Sequence, residues 1–503
     1  MGPGAGGTTG TAGRYAEVRE THSGVVLLLG DLAYKLKRPV RLDFLDFSTV
    51  EARQRACERE VELNRRLTPD VYLGVGALRR PDGSEEPAVV MRRMPDERRL
   101  THLVRSGEPG TDLDAAVRHV ARALASFHAR ASRSAAADRE GSRDAIRGRW
   151  EASFAQLHRA GAELVGKCRL TEVETQVRQF LAGREPLFAE RVRQGRVVDG
   201  HGDLLADDVF CLDDGPRILD CLEFDDRLRY VDVLDDVAFL AMDLEWLGAP
   251  ALAGTLLATY LELSGDPAPP GLLHHFIAYR AFVRAKVSCL AGASLERPAS
   301  GQAAGLADLA LRHLRAGEVV LVLVGGPPGT GKTTLAEDLG DRLGYAVLSS
   351  DRVRKELAGI PAEASARAGL GEGIYDAGHT RATYREMLAR ARALLSRGQS
   401  VVLDASWSDA AEREEAAELA RTASVRPVYL RCSLDEERAA ARIFARTGIS
   451  DADEAIAAAM RHCEDPWPGC VEVDTAQSRA DCLAAAAAAV TRLPAGHQSA
   501  PTG

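Results

Sequence analysis

One stretch of this 503-residue chain constrains its fold more than any other: VVLVLVGGPPGTGKTTLAEDLG, residues 319–340. It opens with an apolar, β-branched run whose length and composition are typical of a buried parallel strand. The segment from Gly326 to Thr333 then completes the pattern G-x-x-x-x-G-K-[ST], and leucines at helical spacing follow it. The sequence therefore predicts a strand, a glycine-rich loop and a helix, in the order that this motif requires.

The residues of this loop suit a nucleoside triphosphate. Glycines let successive backbone N–H groups converge on phosphate oxygens at the positive end of a helix. Lys332 would reach the β- and γ-phosphates, and Thr333 would hold Mg²⁺ through its hydroxyl. A glycine-rich turn that binds nothing is the alternative, and the strand and helix on either side argue against it. We expect these residues to contact the nucleotide: Gly326, Pro327, Pro328, Gly329, Thr330, Gly331, Lys332, Thr333 and Thr334.

Composition narrows the class of protein. A chain of 503 residues is expected to form more than one domain. Its residues are 46% apolar and 27% charged, as in ordinary globular proteins. A net charge of −9 argues against a broad nucleic-acid footprint. Nine cysteines without a C-x-x-C pair indicate reduced thiols and a cytoplasmic setting. We expect no membrane span, because no apolar run approaches about 18 residues. We expect no signal peptide, because the start MGPGAGGTTGTAG has neither a basic region nor an apolar region.

A lysine-bearing segment lies near the start of the chain. Residues 24–29 and 32–37 read as two strands joined by a hairpin turn, and Lys35 and Lys37 share one face of the second. A solvated edge strand protected by lysines is the plainer interpretation. Ala33-Tyr34-Lys35 also fits the A-x-K pattern of a kinase third strand, in which the lysine pairs with ATP phosphates.

The helix predicted over residues 49–67 supplies a carboxylate for that lysine. Glu60 lies near its middle, with Glu58 and Glu62 as rivals. We expect Glu60 to pair with Lys35 and to hold it toward phosphate. A solvated, charged helix is the alternative.

The most informative stretch of the first half is residues 197–223, VVDGHGDLLADDVFCLDDGPRILDCLE. Asp203, on a predicted loop, can orient an acceptor hydroxyl and take its proton. Asp208, and Asp220 at the end of a strand predicted over 217–220, can hold Mg²⁺ against ATP. An acidic β-hairpin without metal is the alternative.

Over about residues 16–295 the chain resembles the aminoglycoside phosphotransferase and choline kinase-like enzymes. The resemblance rests on five residues: Lys35, His201, Asp203, Asp208 and Asp220. It implies a two-lobed protein-kinase-like fold with ATP in the cleft, Asp203 as the catalytic carboxylate and Asp220 as the main metal ligand. Asp208 departs from the pattern, which has asparagine at this position. Its extra negative charge is expected to affect the affinity for ATP or the activity.

Two charged groups downstream have plainer interpretations. Asp235 and Asp236 open a predicted buried helix, where we expect caps and ion pairs, with bracing of the catalytic loop as the alternative. Arg280 and Arg284 lie at helical spacing. A surface salt-bridge face is favoured there over an anion contact.

In the C-terminal half, two aspartates follow predicted strands. Asp351 comes after the strand 345–348, and Asp404 ends the strand 400–404. A carboxylate at the C-terminal end of a strand beside the P-loop lies where ligands bind in open α/β sheets. We expect Asp351 to be the base for the acceptor, with Arg354 as an anion contact, and Asp404 to lie near Mg²⁺ as in a Walker B element. A helix N-cap for Asp351 and a substrate contact for Asp404 are the alternatives.

Three arginines, Arg438, Arg442 and Arg446, recur every four residues after the strand predicted over 427–431. This spacing aligns them on one helix face. Such a face can close over phosphates as a lid and stabilise the transferring charge. The alternative is a solvated face paired with the acidic residues 435–437.

Over about residues 317–493 the chain resembles P-loop kinases of the gluconate kinase, chloramphenicol phosphotransferase and zeta-toxin type. The resemblance rests on Gly326–Thr333, Ser350-Asp351 with Arg354, Val402-Leu403-Asp404 and the arginine helix. The pairing of both halves resembles bacterial fusion proteins that join an aminoglycoside phosphotransferase-like domain to an ATP-binding domain.

These observations predict a two-domain fold: an N-terminal, two-lobed, protein-kinase-like α+β domain, followed by a C-terminal α/β P-loop NTPase domain with a parallel sheet. The expected function is ATP-dependent phosphoryl transfer to a hydroxyl of a small molecule, with ATP and Mg²⁺ bound. A nucleotide-gated regulator and a polynucleotide 5′-hydroxyl kinase are the alternatives. We expect a disordered tail at 1–15, the kinase-like domain at 16–295, a linker at 296–316, the P-loop kinase domain at 317–493 and a disordered tail at 494–503.

Overall fold

The computed structural model describes residues 17–20, 24–42, 45–107, 112–295, 300–361, 373–444 and 465–492. The two predicted disordered tails and Arg446 lie outside these residues. No helix among the described residues is long and apolar enough to cross a membrane.

The described chain alternates short strands with long helices. The strands are β1 (Glu17–Glu20), β2 (Gly24–Leu29), β3 (Leu32–Lys37), β4 (Arg41–Leu42), β5 (Leu45–Asp46), β6 (Tyr72–Arg79), β7 (Glu85–Arg92), β8 (Val197–Asp199), β9 (Val209–Leu212), β10 (Gly215–Ile218), β11 (Tyr230–Asp232), β12 (Val320–Gly325), β13 (Ala346–Ser349), β14 (Val401–Asp404), β15 (Arg426–Ser433) and β16 (Val471–Asp474). The helices are α1 (Val50–Asn64), α2 (Leu100–Ser106), α3 (Leu113–Arg130), α4 (Ala135–Glu140), α5 (Arg143–Ala160), α6 (Ala162–Val165), α7 (Lys167–Leu181), α8 (Glu185–Arg193), α9 (Asp226–Arg229), α10 (Val233–Trp246), α11 (Pro250–Ser264), α12 (Pro270–Leu295), α13 (Ser300–Ala316), α14 (Lys332–Leu343), α15 (Ser350–Leu357), α16 (Ala377–Ser396), α17 (Ala410–Thr422), α18 (Glu436–Phe444) and α19 (Arg479–Thr491).

The chain divides into two compact units. Unit 1 takes its described residues from Met1–Leu164, Arg191–Pro267 and Phe276–Ala310. Unit 2 takes them from Val165–Glu190, Ala268–His275 and Leu311–Gly503. Two segments from the range predicted for the kinase-like domain, 165–190 and 268–275, therefore pack with the P-loop part.

Unit 1 contains a five-stranded antiparallel sheet in the order β1-β2-β3-β7-β6. Strand β3 lies between β2 and β7, so the interpretation of its lysines as a solvated edge is wrong. Helix α1 begins after Thr49, whose hydroxyl accepts a hydrogen bond of 3.1 Å from the backbone N–H of Ala52. Cys57 and Val61 of this helix pack against the sheet in a buried apolar cluster, which fixes the face that α1 presents to β3.

Two small antiparallel ribbons carry the acidic stretch of unit 1. Strand β8 pairs with β11, and β9 pairs with β10. The loop 200–208 therefore leaves one ribbon and enters the other, and the chain returns beyond β10 toward β11. Because β10 ends at Ile218, Asp220 lies beyond the strand and not at its end as predicted.

Unit 2 contains a five-stranded parallel sheet in the order β13-β14-β12-β15-β16. Every residue of β12 is buried, as its apolar sequence predicted. Leu335 and Leu339 of α14 pack on this sheet together with Ala486 and Val490 of α19. Strand β16 was not predicted. The sheets of the two units confirm the predicted fold class, a kinase-like α+β part and an α/β P-loop part.

The early segment of unit 2 that spans residues 165–190 contacts later residues of the same unit through specific bonds. Arg184 Nη1 donates a hydrogen bond of 2.9 Å to the backbone carbonyl of Ala423, at the end of α17. Arg315 Nη2 pairs with Glu172 Oε1 at 2.5 Å. The predicted boundary at 296–316 stays a prediction. The bond from Arg184 to Ala423 joins residues from its two sides within one compact unit.

Candidate functional site

The P-loop of unit 2 is shaped by three glycines in conformations that other residues rarely adopt. Gly326, Gly329 and Gly331 have φ values of 127°, 83° and 85°. A Cβ atom on Gly326 would lie 2.4 Å from the carbonyl oxygen of Cys432. The loop leads from the buried end of β12 into α14, whose N-terminal N–H groups attract anions. Lys332 Nζ donates a hydrogen bond of 3.0 Å to the carbonyl of Pro327, so its amine lies over the loop.

The next residue of the loop contacts the neighbouring strand. Thr333 Oγ1 donates a hydrogen bond of 2.9 Å to Asp404 Oδ2, and Asp404 is only 3% exposed at the end of β14. Burial raises the pKa of Asp404, against the opposing effects of Lys332 and Thr333. This hydroxyl and carboxylate are hard oxygen donors of the kind that Mg²⁺ prefers.

No group of three or more His, Cys, Asp or Glu side chains among the described residues could hold a metal ion by itself. Mg²⁺ in a phosphate site needs only one or two protein oxygens, because the phosphates and waters supply the rest. Thr333 and Asp404 therefore fit such an ion.

Asp351 lies beside this pair. It follows β13, which pairs with β14 so that Ser349 lies opposite Asp404, and its negative charge helps to raise the pKa of Asp404. The residue before α15 is Ser349, whose side chain makes no capping hydrogen bond, so Asp351 lies within the first turn and is not the N-cap. Asp351 pairs with Arg354 at 3.1 Å, and the Arg354 guanidinium lies 4.7 Å from the centre of the Tyr375 ring.

The two described arginines of α18 differ sharply. Arg442 Nη2 donates a hydrogen bond of 2.9 Å to the backbone carbonyl of Thr475, and a Cβ atom on Gly331 would lie 3.4 Å from Arg442 Nη1. Arg438 is exposed and pairs with Asp435 at 3.3 Å. Arg442 thus lies against the P-loop, whereas Arg438 follows the alternative of a solvated face.

Sequence reasoning missed two further elements around the P-loop. The hydroxyl of Thr475 donates a hydrogen bond of 2.7 Å to the carbonyl of Thr330. On the other side, the carbonyl of Ser406 accepts a bond of 3.1 Å from the N–H of Gly326, and the Ser406 hydroxyl bonds to Tyr384 at 3.1 Å. Near this serine and tyrosine, burial raises the pKa of Glu412 to about 7. Thr475 follows the unpredicted β16, so no sequence signal marked it.

The kinase-like site of unit 1 centres on Lys35. Its Nζ lies 2.9 Å from Glu60 Oε1 and also pairs with Asp220. The other two candidate glutamates contact different residues. Glu58 accepts a hydrogen bond of 2.8 Å from Gln54, and Glu62 forms an ion pair with Arg59 at 2.7 Å. Burial alone would lower the pKa of Lys35, but the charges of Asp220 and Glu60 hold it well above its usual value. The structure therefore brings the predicted lysine and glutamate together.

The loop that carries Asp203 is fixed through its backbone. Asp236 accepts hydrogen bonds from the N–H groups of His201 at 2.7 Å and Gly202 at 2.9 Å. The side chain of His128 contacts Asp236 at 3.1 Å. Asp236 thus braces the loop that carries Asp203, which was the alternative to a cap or ion pair.

A buried arginine supports the same loop. Arg280 Nη1 donates a hydrogen bond of 3.1 Å to the carbonyl of Gly202, and Arg280 Nε pairs with Asp235 Oδ1 at 2.7 Å. Arg280 is 5% exposed, so its interpretation as part of a surface face is wrong.

Three carboxylates converge beside Lys35. Burial raises the pKa of Asp208 well above its usual value, and the charges of Asp220 and Asp203 add to this effect. Burial likewise raises the pKa of Asp203. Asp220, whose φ is 65°, keeps a lowered pKa because Lys35 outweighs its burial. Asp208 and Asp220 are carboxylates of the kind that bind a divalent cation together with phosphates, which then supply the remaining oxygens.

Residues 321–466 match the family model of the AAA domain, a range that starts in β12 and includes the P-loop, Asp351 and Asp404. An uncharacterized protein of Mycobacterium tuberculosis, Rv2004c, is 44% identical over 467 residues, which are 92% of this chain and 93% of that protein.

Two solved structures are similar at lower identity. A gluconokinase from Sinorhizobium meliloti is 22% identical, covers 35% of this chain and 93% of its own, and has a TM-score of 0.26. A choline/ethanolamine kinase family protein from Mesorhizobium loti is 15% identical, covers 60% of this chain and 94% of its own, and has a TM-score of 0.35. The family match and the parallel sheet of unit 2 confirm the predicted C-terminal P-loop part.

Proposed function

The chain belongs to the same family as Rv2004c of Mycobacterium tuberculosis, and we propose that it is an ATP-dependent phosphotransferase acting through the P-loop of unit 2. The observation that carries this proposal is the meeting of three residues at the carboxyl ends of adjacent strands. Thr333 follows β12 and bonds to Asp404 at the end of β14, and Asp351 follows β13 beside it. Ligands of open α/β sheets bind at this edge.

Each residue has a role that its position supports. The backbone of the P-loop and Lys332 bind the phosphates of ATP. Thr333 and Asp404 would hold Mg²⁺, which would supply positive charge beside the phosphates of ATP. Asp351 orients the acceptor hydroxyl and receives its proton as the γ-phosphoryl group transfers.

The arginines divide between the two substrates. Arg442, against Gly331, lies where it can stabilise the charge on the transferring group. Arg354, paired with Asp351, is placed to contact an anionic group of the acceptor. Arg438 has no such role, because it is exposed and pairs with Asp435.

The acceptor is a small hydroxylated molecule. The net charge of −9 and an aromatic content of 5% disfavour a polynucleotide acceptor, since such sites combine basic grooves with stacking side chains. We place the protein in the cytoplasm, where ATP is available.

We assign unit 1 a second nucleotide site of kinase type. Lys35, held by Glu60, contacts phosphate, and Asp208 and Asp220 take Mg²⁺. Asp203 is the catalytic carboxylate, on the loop that Asp236 and Arg280 hold in place. Whether this site transfers phosphate or senses nucleotide is decided by the experiment below.

The test follows label from γ-labelled ATP with Mg²⁺ into a pooled metabolite and aminoglycoside extract. Wild type, Lys332→Ala and Asp203→Ala are compared side by side, with Arg438→Ala as the matched control. Labelled product that is lost with Lys332→Ala but kept with Asp203→Ala and Arg438→Ala supports the proposal.

Two results would contradict it. Loss of product only with Asp203→Ala would assign the reaction to unit 1. Phosphate release without any labelled product would favour the nucleotide-gated regulator.

A further inference from the structure

A second buried lysine lies beside the proposed phosphate-binding lysine of unit 1. Lys37 follows Lys35 by two residues on β3, so both side chains leave the same face of the sheet. Lys37 Nζ lies 2.5 Å from Glu60 Oε2, whereas Lys35 Nζ lies 2.9 Å from Glu60 Oε1. One glutamate thus serves two lysines, with one oxygen for each.

The contacts continue beyond Glu60 in both directions. Lys37 also pairs with Glu223, and Lys35 also pairs with Asp220. Asp220 precedes Glu223 by three residues. The result is an ion chain, Asp220–Lys35–Glu60–Lys37–Glu223, in which the charges alternate in sign. All of its side chains except the half-exposed Asp220 are largely buried, and we call it the buried ion chain. It ties β3 to α1 and to the segment that follows β10.

The two lysines differ in what they can reach. The side chain of Lys37 is 1% exposed, against 12% for Lys35, and its ammonium lies 5.7 Å from the centre of the buried Phe47 ring. Burial alone would lower the pKa of Lys37, but Glu60 and Glu223 outweigh it and keep this pKa above its usual value. Lys37 is therefore a charged group that acts on its neighbours and not on a bound nucleotide.

The balance of charge shows what Lys37 does for Lys35. With Lys37 in place, two lysines face the three carboxylates of the buried ion chain. Without Lys37, the single positive charge of Lys35 would be attracted to all three carboxylates, those of Glu60, Glu223 and Asp220. In a buried site this attraction is strong, so Lys35 would be held by carboxylates at the expense of phosphate.

We propose that Lys37 is a positioning residue of the unit 1 nucleotide site: it neutralises Glu60 and Glu223, so that Lys35 remains available to the phosphates of a bound nucleotide. This inference rests on the nucleotide site proposed above for unit 1.

The test measures binding of a fluorescent N-methylanthraniloyl derivative of ATP, with Mg²⁺, to the full chain carrying Lys332→Ala. In this background we expect residual binding, abolished by Lys35→Met, which establishes the unit 1 site. Lys37→Met should weaken it about tenfold, and Lys37→Arg should retain it. Adding Glu223→Gln to Lys37→Met should restore most of the affinity, because it removes the surplus negative charge.

Arg53→Met is the matched control. Arg53 lies on α1, is 3% exposed, pairs with Glu86 at 2.5 Å and donates to the carbonyl of Phe47, but it pairs with no carboxylate of the buried ion chain. We expect it to lower the melting temperature, as Lys37→Met does, but to leave nucleotide affinity unchanged below that temperature. A purely structural role for Lys37 would make the two variants behave alike.

Three outcomes are decisive. Unchanged affinity in Lys37→Met, or no recovery on adding Glu223→Gln, would overturn the inference while the unit 1 site stands. Absence of binding that depends on Lys35 would overturn the site itself and the inference with it. If Lys37→Met does not fold, the double variant Lys37→Met with Glu223→Gln is measured instead. Nucleotide affinity within about threefold of the Lys332→Ala background supports the inference, and a loss of about tenfold refutes it.

Discussion

Arg442 donates a hydrogen bond of 2.9 Å to the backbone carbonyl of Thr475, and the hydroxyl of Thr475 in turn donates one of 2.7 Å to the carbonyl of Thr330 in the P-loop. Helix α18 is therefore tied to the phosphate loop through the residue that follows β16. This link separates Arg442 from Arg438, four residues earlier on the same helix.

We predict that Arg442→Ala lowers kcat for phosphoryl transfer by about 10²-fold, the usual effect of removing a donor that stabilises transition-state charge. Arg438→Ala should change kcat by less than about twofold, because this side chain is exposed and its pair with Asp435 is worth little. Steady-state kinetics with saturating ATP provide the comparison. Equal losses in the two variants would refute the distinction.

The hydroxyl of Thr333 is predicted to control the requirement for Mg²⁺. Thr333→Ala removes the group that bonds to Asp404 at 2.9 Å and should raise the half-saturating Mg²⁺ concentration by about tenfold or more. Thr333→Ser keeps the hydroxyl and should behave like wild type. A Mg²⁺ titration of phosphoryl transfer measures both, and an unchanged requirement in Thr333→Ala would exclude Thr333 as a ligand.

Glu412 is predicted to make the stability of unit 2 depend on pH. Burial raises its pKa from 4.5 to about 7 in the folded protein, so between these values the folded state binds more protons than the unfolded state. The contribution of Glu412 to stability is therefore complete below about pH 4.5 and is lost as the pH rises through about 7.

The measurement is the melting temperature of wild type and Glu412→Gln from pH 5 to pH 8. Glutamine cannot ionise, so the variant should gain stability relative to wild type as the pH rises. Glu414→Gln alters an exposed residue of the same helix and serves as the control. A constant difference between wild type and Glu412→Gln across this range would contradict the prediction.

The interleaved composition of unit 2 predicts how the chain responds to truncation. A fragment of residues 317–503 lacks the segments 165–190 and 268–275, and with them the bond from Arg184 to Ala423 and the pair of Arg315 with Glu172. We expect this fragment to melt below the P-loop unit of the full chain or to aggregate. Calorimetry with and without ATP compares the melting temperature of the fragment with that of the P-loop unit in the full chain. A fragment as stable as that unit would support the boundary at 296–316.

The P-loop site was largely predictable because its signals are local. Glycines at fixed spacing between an apolar strand and a helix determine Gly326–Thr333. Asp351 and Asp404 were marked because each closely follows an apolar run. Thr475 was not predicted because β16, with the sequence VEVD, is short and half of its residues are acidic, so that only its pairing with β15 shows that it is a strand.

The unit 1 site depended more on contacts between distant residues. Glu60 could not be separated from Glu58 and Glu62 by sequence, since all three lie near the middle of α1 and only the packing of the helix on the sheet selects one. Lys37 was interpreted as solvated because the sequence does not reveal that β3 lies inside the sheet. The hydrogen bond from the N–H of His201 to Asp236 joins residues that are 35 positions apart, so it could not be predicted without the fold.

The most direct test of the central claim is phosphoryl transfer by Asp351→Asn, measured together with ATP binding in a protein that also carries Asp203→Ala. The substitution keeps the size of the side chain and its position beside Arg354 but removes the proton acceptor. Our account predicts unchanged ATP affinity and a loss of transfer of about 10²-fold or more. Transfer at the rate of the Asp203→Ala parent would contradict the assignment of Asp351, and with it the proposed mechanism of unit 2.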